Sequence, residues 1–411
     1  MRYLHLKVFL FLIIITSASY AQDAGKTLNA QNKDSTVLLQ GTHKAKSVKS
    51  ILSLLYGSSG KKSSQGSLKI AHFIIPGYSP DTKFALAGGA IASFKTKRDD
   101  SLLPLSTVPI TISYSSARAF IASSSIQTFW LHDKLRINAF AQYRNSGSIY
   151  YGVGYNAAMN TSPDSTNLWG SSFTFALRPL WNIRKNVYAG VFFLYDQSIL
   201  SHINPHIAID SFYTQYGSFY RNTGIGSSIT FDSRDVPQNA YKGLYVSLTY
   251  SLYNKALGGT THYQLFDFDT RAYLPLSSRR MRVLALNWRS RYYFGTPAPT
   301  SILPLGLSID LRGLAFGKFR DYKTNYLLAE YRHKFYNRLG EPSRFGFVVW
   351  SGIGAIGNNF NNAMFKQVLP DFGVGLRFEI LPRLNLRGDE GFAPTKGKSS
   401  HATFFNFLES F

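Results

Sequence analysis

Apolar and polar residues alternate strictly along most of the chain after residue 67, and the polar positions include full charges. Residues 245–253 read YVSLTYSLY, with apolar and polar side chains on opposite faces. Residues 134–144 and 283–293 repeat this period of two, which is typical of β-strands, and carry arginines at polar positions. A packed soluble core could not bury those charges unpaired. The pattern therefore predicts strands with one apolar face and one face lining a wet interior.

Composition narrows this prediction to a membrane barrel. Aromatic residues make up 15% of the chain and charged residues 16%, whereas an ordinary soluble domain has about 25% charged residues. No segment beyond residue 21 has the roughly 18 consecutive apolar residues of a transmembrane helix. The sequence therefore predicts an all-β fold, a transmembrane antiparallel β-barrel with an apolar outer surface rich in aromatic residues.

Residues 67–411 are predicted to form this barrel. At roughly 10 residues per strand plus turns and loops, they accommodate about 16 strands, and an even number is expected. The first alternating segment, near residue 68, and the last, at 400–411, are expected to pair and close the barrel. The alternative, a secreted array of β-sandwiches, requires domain linkers and uncharged inward faces, and the sequence has neither.

Two segments precede the predicted barrel. Residues 1–21 combine a positive start at Arg2 and Lys7 with an apolar run and small residues, which is the pattern of a secretory signal peptide. Residues 22–66 are rich in Lys, Ser, Gly, Asn and Gln, so a basic, flexible periplasmic tail is expected. Within it, residues 46–56 space their apolar side chains helically, which fits either a short amphipathic helix or a tether with transient helicity.

Residues that carry enzyme chemistry are not gathered anywhere in the sequence. The chain has no cysteine and no G-x-S-x-G sequence. His202 and His206 have the spacing of metal ligands on a helix, but Asn204 and Pro205 interrupt a helix there. We therefore expect no catalytic residue, no metal and no cofactor, and the chain is not predicted to be an enzyme.

The chain is strongly basic, with a formal net charge of +23. Its basic residues are spread over the predicted lumen, loops and tail instead of forming one patch with aromatic residues, so nucleic-acid binding is not expected. Attraction of the loops or the tail to anionic lipid headgroups, and a lumen that favours anions, are expected instead. The lumen preference depends on the arginines at inward positions, which are Arg136, Arg144, Arg289, Arg291, Arg332, Arg377 and Arg387.

One joint between two alternating segments is unusually polar. Residues 231–245, FDSRDVPQNAYKGLY, place Asp232, Arg234 and Asp235 before Gly243. A catalytic acid–base cluster is one interpretation, but a hairpin turn stabilised by an Asp–Arg network needs fewer assumptions. The sequence therefore predicts a turn here.

Seven short motifs resemble, in chain order, the barrel of the BamA/TamA/FhaC outer-membrane superfamily, also called the bacterial surface antigen family. They are residues 75–82 (IPGYSPDT), 150–154 (YYGVG), 231–235 (FDSRD, followed by Gly243), 311–314 (LRGL), 330–332 (EYR), 373–378 (GVGLRF) and 385–389 (NLRGD). The resemblance implies the outer membrane of a Gram-negative bacterium and makes the polar joint a periplasmic turn. Residues 239–242, NAYK, lack the proline that usually precedes the glycine.

The resemblance also implies a role for the long loop near residues 300–322, which in the family folds back into the lumen. Arg312 and Gly313 occupy its R-G motif. Arg312 is expected to hold the loop in the lumen as a latch. A guanidinium is always charged, and its planar group can form two parallel hydrogen bonds to a carboxylate. Glu330 and Asp389 are the preferred partners, since strand parity places both inside. The alternative is that Arg312 is one more solvated lumen charge.

Two departures from the family bear on activity. Residues 350–354, WSGIG, stand where the family carries F-x-D-x-G, so the acidic partner usually offered to the loop arginine is expected to be missing. Residues 22–66 are too few for even one of the periplasmic POTRA modules of the assembly and secretion members. A periplasmic protein that supplies a POTRA-like function is therefore a candidate partner.

The segment FNFLESF, at the end of the last alternating run, carries the remaining family feature. In such barrels a terminal aromatic residue on an alternating strand is the signal by which the protein is recognised for assembly. The resemblance therefore implies that Phe407 and Phe411 form a C-terminal assembly signal.

The function implied by the resemblance is insertion or translocation of outer-membrane components, carried out by this barrel or by a reduced form of that machinery. The alternative from another class is a narrow, anion-leaning pore or a structural outer-membrane barrel without assembly activity.

Overall fold

The described chain forms a closed barrel of sixteen antiparallel strands, as the sequence predicted. The computed structural model describes residues 68–411 except 101–102, 162–165, 209–210, 238, 278–280, 363–365, 382, 396–397 and 408. The strands are β1 (Lys69–Ser79), β2 (Lys83–Phe94), β3 (Ser106–Ser115), β4 (Phe120–Trp130), β5 (Leu135–Ile149), β6 (Asn167–Arg184), β7 (Val187–Ile203), β8 (Phe219–Asp232), β9 (Gly243–Tyr253), β10 (His262–Pro275), β11 (Arg282–Thr296), β12 (Lys323–Tyr336), β13 (Pro342–Gly357), β14 (Val368–Leu381), β15 (Leu384–Thr395) and β16 (Lys398–Phe407).

Each strand lies beside its neighbours in sequence, and β16 returns to β1. Tyr78 on β1 is opposite Phe405 on β16, and their rings make an edge contact with centroids 6.5 Å apart. The predicted pairing of the first and last segments is therefore confirmed. A closed ladder satisfies the backbone groups of both edge strands, which a barrel in lipid requires.

Short helices lie in several connections between strands. They are α1 (Tyr155–Asn160), α2 (Pro205–Ala208) and α3 (Ser211–Tyr216), with single 3₁₀ turns at Lys255–Leu257 and Pro299–Ser301. Among the residues that the structure describes, no helix is both long enough and apolar enough to cross a membrane.

Besides the segments given above, alternation predicts strands at about residues 82–94, 119–130, 168–179, 183–195, 217–231, 261–274, 324–336, 343–357 and 370–380, and β3 is not among them. Pro109 lies within it, and a proline cannot donate to a strand ladder, so its presence argues against a strand. After Pro109, however, Ile110, Ile112 and Tyr114 alternate outward and are each more than half exposed. The alternation that identifies the other strands is therefore present here too, but over a shorter run.

The two faces of the strands have the chemistry that the alternation predicted. Leu248 and Trp288 face outward, with 42% and 46% of their surface exposed. Arg289 faces inward, and its Nη2 lies 2.6 Å from Oδ2 of Asp267 on the neighbouring strand β10. Large apolar side chains are exposed on strands from β1 to β15. The barrel therefore presents an apolar outer surface and an inner wall with ion pairs.

The chain leaves the barrel wall after β16. This strand ends at Phe407, so the strand predicted over 400–411 is too long. Phe411 is buried inside the barrel, with its ring centroid 6.4 Å from that of Tyr273 and its main-chain oxygen 3.0 Å from Arg332 Nη2. The expectation that Phe411 stands on an alternating strand is wrong, because these inward contacts draw it off the ladder. Its role with Phe407 as an assembly signal stays a prediction.

The predicted signal peptide (1–21) and the basic tail (22–66), with its segment 46–56, lie outside the described residues.

Candidate functional site

The connection between β11 and β12, residues 297–322, is the loop that carries the R-G motif. Leu311 and Leu314 on this loop are fully buried and belong to an apolar cluster that also contains Trp350 of β13. A backbone hydrogen bond from Leu305 N to Phe319 O, 2.7 Å long, ties the two arms of the loop together. The loop therefore lies inside the barrel as a packed element.

Arg312 is the centre of a buried ion cluster. Its Nη1 donates to Asp389 Oδ2 at 2.7 Å and its Nη2 donates to Glu330 Oε2 at 2.5 Å. None of the three side chains is exposed. The Trp350 ring lies under the guanidinium, with Cζ 3.6 Å from the ring centroid. The structure thus brings Arg312 together with both of its predicted partners; below, the three residues are called the Arg312 cluster.

Three further arginines surround the two carboxylates. Arg332 Nε donates to Glu330 Oε1 at 2.7 Å, and Arg377 Nη1 donates to Asp389 Oδ1 at 2.6 Å. Arg387 Nη1 donates to Asp389 Oδ2 at 2.9 Å, while its Nη2 donates to the Ser308 carbonyl of the loop at 2.7 Å. Each carboxylate therefore meets more than one guanidinium, which is how buried charges compensate for lost solvation.

Asp371 on β14 supplies an acid to the loop that the sequence argument did not foresee. It accepts a hydrogen bond from the backbone N–H of Gly313, and its Oδ2 accepts one from Trp350 Nε1 at 2.8 Å. The loop arginine was expected to have lost an acidic partner where WSGIG replaces the family motif. In the structure, Trp350 of that motif stacks on Arg312 and links the cluster to a carboxylate on the next strand.

Gly313 allows the loop to approach the wall. A Cβ built on Gly313 would overlap the backbone of Phe392 on β15, and a Cβ built on the adjacent Gly391 would overlap the Arg312–Gly313 peptide. Ser400 Oγ donates to the Gly313 carbonyl at 2.9 Å. The R-G pair therefore consists of one residue that binds through its side chain and one whose lack of a side chain lets the backbones touch.

Two loop side chains have shifted pKa values. Burial would lower the pKa of Arg312, but the charges of Glu330 and Asp389 raise it above its usual range, so the guanidinium stays charged. Burial raises the pKa of Asp310 to about 6, although its Oδ1 accepts hydrogen bonds from the Gly306 and Leu307 N–H groups. The loop thus carries a permanent cation beside an acid that titrates near neutrality.

The predicted turn motif forms a second arginine–carboxylate network, at the joint between β8 and β9. Arg234 Nε and Nη2 donate to the two oxygens of Asp232 at 2.9 and 3.1 Å, and Arg234 Nη1 donates to the Pro237 carbonyl. Gly243 has a φ of +114°, and a Cβ there would overlap the Ser233 carbonyl oxygen. The joint is therefore a turn whose closing residue has to be glycine.

Asp235 connects this turn to a distant one. Its Oδ1 accepts from the Tyr241 N–H at 2.9 Å, and its Oδ2 lies 3.1 Å from Nη2 of Arg383 between β14 and β15. Arg383 also donates to the Asn239 carbonyl at 2.8 Å and covers the Tyr241 ring, with Cζ 3.5 Å from the centroid. We call residues 232–243 with Arg383 the β8–β9 turn network. It joins two turns 148 residues apart in sequence.

Most of the inward arginines that were expected to favour anions have carboxylate partners. Arg136 pairs with Asp133, Arg144 with Asp81, and Arg289 with Asp267, each at 2.6 or 2.7 Å. Arg332, Arg377 and Arg387 belong to the network around the Arg312 cluster. Arg291 is buried, and its Nε and Nη1 have no hydrogen-bond partner among the described residues. The sequence pattern thus overstated the free positive charge of the lumen.

Sequence reasoning missed Trp350 and Asp371 as parts of this site. Both lie on the inward rows of their strands, so strand parity would have placed them in the lumen. Gly373, which lies opposite Trp350 on β14, offered a further signal, since a Cβ there would overlap the Trp350 ring. An inward glycine on a strand indicates a large neighbour that needs its space.

Comparisons with known proteins agree with this architecture. The family model described as Omp85 superfamily domain matches residues 106–325, which is more than half of the chain. No curated protein matches. Among solved structures, BamA from Haemophilus ducreyi lacking POTRA domains 1–3 is 11% identical, with a TM-score of 0.55 over 85% of this chain and 71% of that one.

Two structures of CdiB are similarly related. CdiB from Acinetobacter baumannii is 15% identical with a TM-score of 0.53, over 83% of this chain and 59% of that one. CdiB from Escherichia coli is 9% identical with a TM-score of 0.53, over 83% of this chain and 62% of that one. At these identities the likeness shows the fold alone, and this chain spans less than two thirds of either CdiB structure.

Proposed function

The chain belongs to the Omp85 superfamily, and from that premise we propose that it acts in the insertion or translocation of outer-membrane components. The observation that supports this role most directly is the Arg312 cluster, which holds the β11–β12 loop inside the barrel. The R-G motif of this cluster is also one of the seven motifs that carry the sequence resemblance from which the role was expected.

The energetics of the cluster favour a positional role over a purely structural one. A buried ion pair is expensive to desolvate, and apolar packing of similar volume is often at least as stabilising. A barrel that needed only stability would gain little from charged groups with no exposed surface. What four arginines and their carboxylates provide is one defined loop position, because planar guanidinium–carboxylate geometry is directional. A defined loop inside the lumen suits a protein that passes or inserts other chains or lipids in a controlled way.

The proposed location is the outer membrane, in contact with its lipids and lipopolysaccharide. The exposed apolar rows on strands from β1 to β15 support this placement, since a hydrocarbon environment requires them. A periplasmic partner with a POTRA-like role belongs to the same proposal. The β8–β9 turn network would face that partner, because short turns of such barrels lie on the periplasmic side.

A narrow, anion-leaning pore is the second candidate, and Arg291 favours it. Two nitrogen atoms of this inward guanidinium, Nε and Nη1, have no hydrogen-bond partner among the described residues, so an anion in the lumen could bind there. Reversal potentials of the purified barrel in a potassium chloride gradient test this candidate. Chloride preference that Arg291→Gln abolishes would support the pore.

Deletion and complementation in the source bacterium test the proposed assembly role. Loss of the protein should reduce the amounts of other barrel proteins, or alter the lipid composition, in purified outer membranes. The intact protein should restore them and Arg312→Ala should not. Arg289→Gln is the matched control, since it removes an inward arginine that pairs with Asp267 on the wall. An outer membrane unchanged by the deletion would contradict the proposal.

A further inference from the structure

The three residues Glu409–Phe411, here called the β16 tail, lie inside the barrel after the last strand. Glu409, Ser410 and Phe411 are 9%, 5% and 6% exposed. They follow the end of the β16 ladder at Phe407, so strand pairing does not hold them in place. Their position has to come from side-chain contacts with the lumen wall.

Those contacts are specific in chemistry. Glu409 Oε2 accepts from Arg377 Nε at 2.8 Å, and its Oε1 accepts from Asn385 Nδ2 at 2.7 Å. The Phe411 main-chain oxygen accepts from Arg332 Nη2 at 3.0 Å, and Arg332 Cζ lies 5.1 Å from the centroid of the Phe411 ring. The wall thus binds a carboxylate at one position of the tail and an aromatic residue two positions later.

The same arginines hold the loop. Arg377 binds Asp389 with Nη1 and Glu409 with Nε, while Arg332 binds Glu330 with Nε and Phe411 with Nη2. Glu330 and Asp389 are the two carboxylates that hold Arg312. The tail and the loop therefore share one buried set of charges.

The tail does not use all the donors that face it. Arg332 Nη1 and Arg377 Nη2 are buried and have no hydrogen-bond partner among the described residues. A buried donor without an acceptor costs free energy, so these two nitrogen atoms are free to bind a further acceptor. A cavity of about 40 Å³ adjoins these residues, lined by both arginines and Glu409, and it includes the exposed Arg344.

We propose that Arg332, Arg377 and Asn385 form a peptide-binding site on the lumen wall, which takes a segment carrying a carboxylate two residues before an aromatic side chain. The β16 tail fills the site in this structure, and a peptide of the same type supplied by another chain replaces it. Replacement frees the arginines from the tail while they keep their contacts to Glu330 and Asp389. The site is independent of whether the barrel inserts, transports or conducts.

Alkylation of a single cysteine measures the occupancy of the site by the tail. The chain has no cysteine, so Ser410→Cys places one reactive thiol in the buried tail. In the full-length folded protein a charged maleimide should react at least tenfold more slowly than in the urea-unfolded protein. Adding Arg377→Gln should raise the folded rate about tenfold. The matched control is Arg344→Gln, which removes a guanidinium from the same cavity. Because Arg344 forms no ion pair with the described tail residues, this substitution should leave the alkylation rate unchanged.

Peptide competition then tests binding from another chain and needs no arginine variant. The amidated peptide Leu-Glu-Ser-Phe, added to folded Ser410→Cys protein at millimolar concentration, should speed alkylation in a dose-dependent way. The Leu-Gln-Ser-Phe peptide, which lacks the carboxylate, should have no effect. Equal rates in folded and unfolded protein would show that the tail is not docked. Protection that neither peptide relieves would show that the tail is a fixed part of the wall, and either result overturns the proposal.

Discussion

The Arg312 cluster and the β8–β9 turn network use the same residue types in different surroundings. In the cluster, the side chains of Arg312, Glu330 and Asp389 are entirely buried. In the turn network, the Arg383–Asp235 pair keeps 26% and 11% of its side-chain surface exposed. The ion pairs of both regions join separate segments of the chain. Their nitrogen–oxygen distances are similar, 2.5 and 2.7 Å for Arg312 with Glu330 and Asp389, and 3.1 Å for Arg383 with Asp235.

The difference in burial decides what each network contributes. An exposed arginine–carboxylate pair stabilises a protein by about 0–1 kcal/mol, because water screens and replaces it. A buried partner left alone keeps its desolvation cost, so loss of one member costs about 3–5 kcal/mol. The buried cluster should therefore fix the loop, whereas the Arg383–Asp235 pair of the turn network should only adjust how the two turns lie together.

Arg312→Ala should produce the largest effect. It removes one cation from two buried carboxylates, and we expect a loss of about 3–5 kcal/mol in the free energy of unfolding. The loop should also become accessible to protease, and single-channel conductance should become larger or noisier. Arg312→Lys keeps the charge but loses the planar fork, so it should fall between. If Arg312→Ala has the same conductance and protease resistance as the unmodified protein, Arg312 does not hold the loop in place.

Gly313→Ala separates geometry from charge within the cluster. All charged groups remain, but the new Cβ would overlap the Phe392 backbone. Overpacking of this kind costs about 1–3 kcal/mol. Urea unfolding in lipid vesicles should show a loss smaller than that of Arg312→Ala. A neutral result would mean that the loop does not touch β15 at this point.

The two regions should also respond to pH with opposite signs. Burial raises the pKa of Asp310 to about 6, whereas the pKa of an aspartate in the unfolded chain is about 3.9. The contribution of Asp310 to folding stability is therefore fully present below about pH 3.9 and is lost as the pH rises through about 6. Burial alone would raise the pKa of Asp235. However, the Tyr241 and Lys242 N–H groups and Arg383 hold it below its usual range, so its contribution is lost only in acid.

Hydrogen exchange at pH 5 and pH 7.5, corrected for intrinsic rates, measures this contrast. The Gly306 and Leu307 amides, which donate to Asp310, should be about tenfold better protected at pH 5. The Tyr241 amide, which donates to Asp235, should not change. Asp310→Asn keeps an acceptor without the charge and should abolish the loop's pH dependence. Equal pH dependence in both regions would contradict the assignment.

Arg383→Ala should have the smallest effect. It removes the pair with Asp235 and the contact with Tyr241, but water can replace a partly exposed partner, so a loss of about 1 kcal/mol or less is expected. Arg383 also has a φ of +67°, which disfavours any residue with a side chain. Arg383→Gly should therefore be no worse than Arg383→Ala. If Arg383→Ala lowers the free energy of unfolding as much as Arg312→Ala does, the proposed difference between the two networks is wrong.

Much of this contrast could be anticipated from the sequence. The period of two, with charges on one face, predicted the barrel, and strand parity placed Glu330 and Asp389 inside. The family resemblance singled out both Arg312 and residues 231–235. These features are local or repeat along the chain, so they can be read without coordinates.

The missing parts were those that depend on contacts between distant strands. Asp371 meets Gly313 across 58 residues, and Arg383 meets Asp235 across 148. No spacing rule in a single sequence encodes such pairs. The alternation predicts Phe411 on a strand, but Arg332 on β12 holds Phe411 inside the barrel and Arg377 on β14 holds Glu409 there. β3 was missed for a different reason, since Pro109 interrupts its pattern.

A double-mutant cycle tests the central claim most directly, namely that a buried guanidinium–carboxylate contact holds the loop in the lumen. The free energy of unfolding is measured in lipid vesicles for the unmodified protein, Arg312→Ala, Glu330→Gln and the double variant. We expect a coupling energy of about 2 kcal/mol or more, since the two residues share one buried network. The same cycle for Arg383 and Asp235 should give less than about 1 kcal/mol. Additivity of Arg312→Ala and Glu330→Gln within about 0.5 kcal/mol would contradict the account.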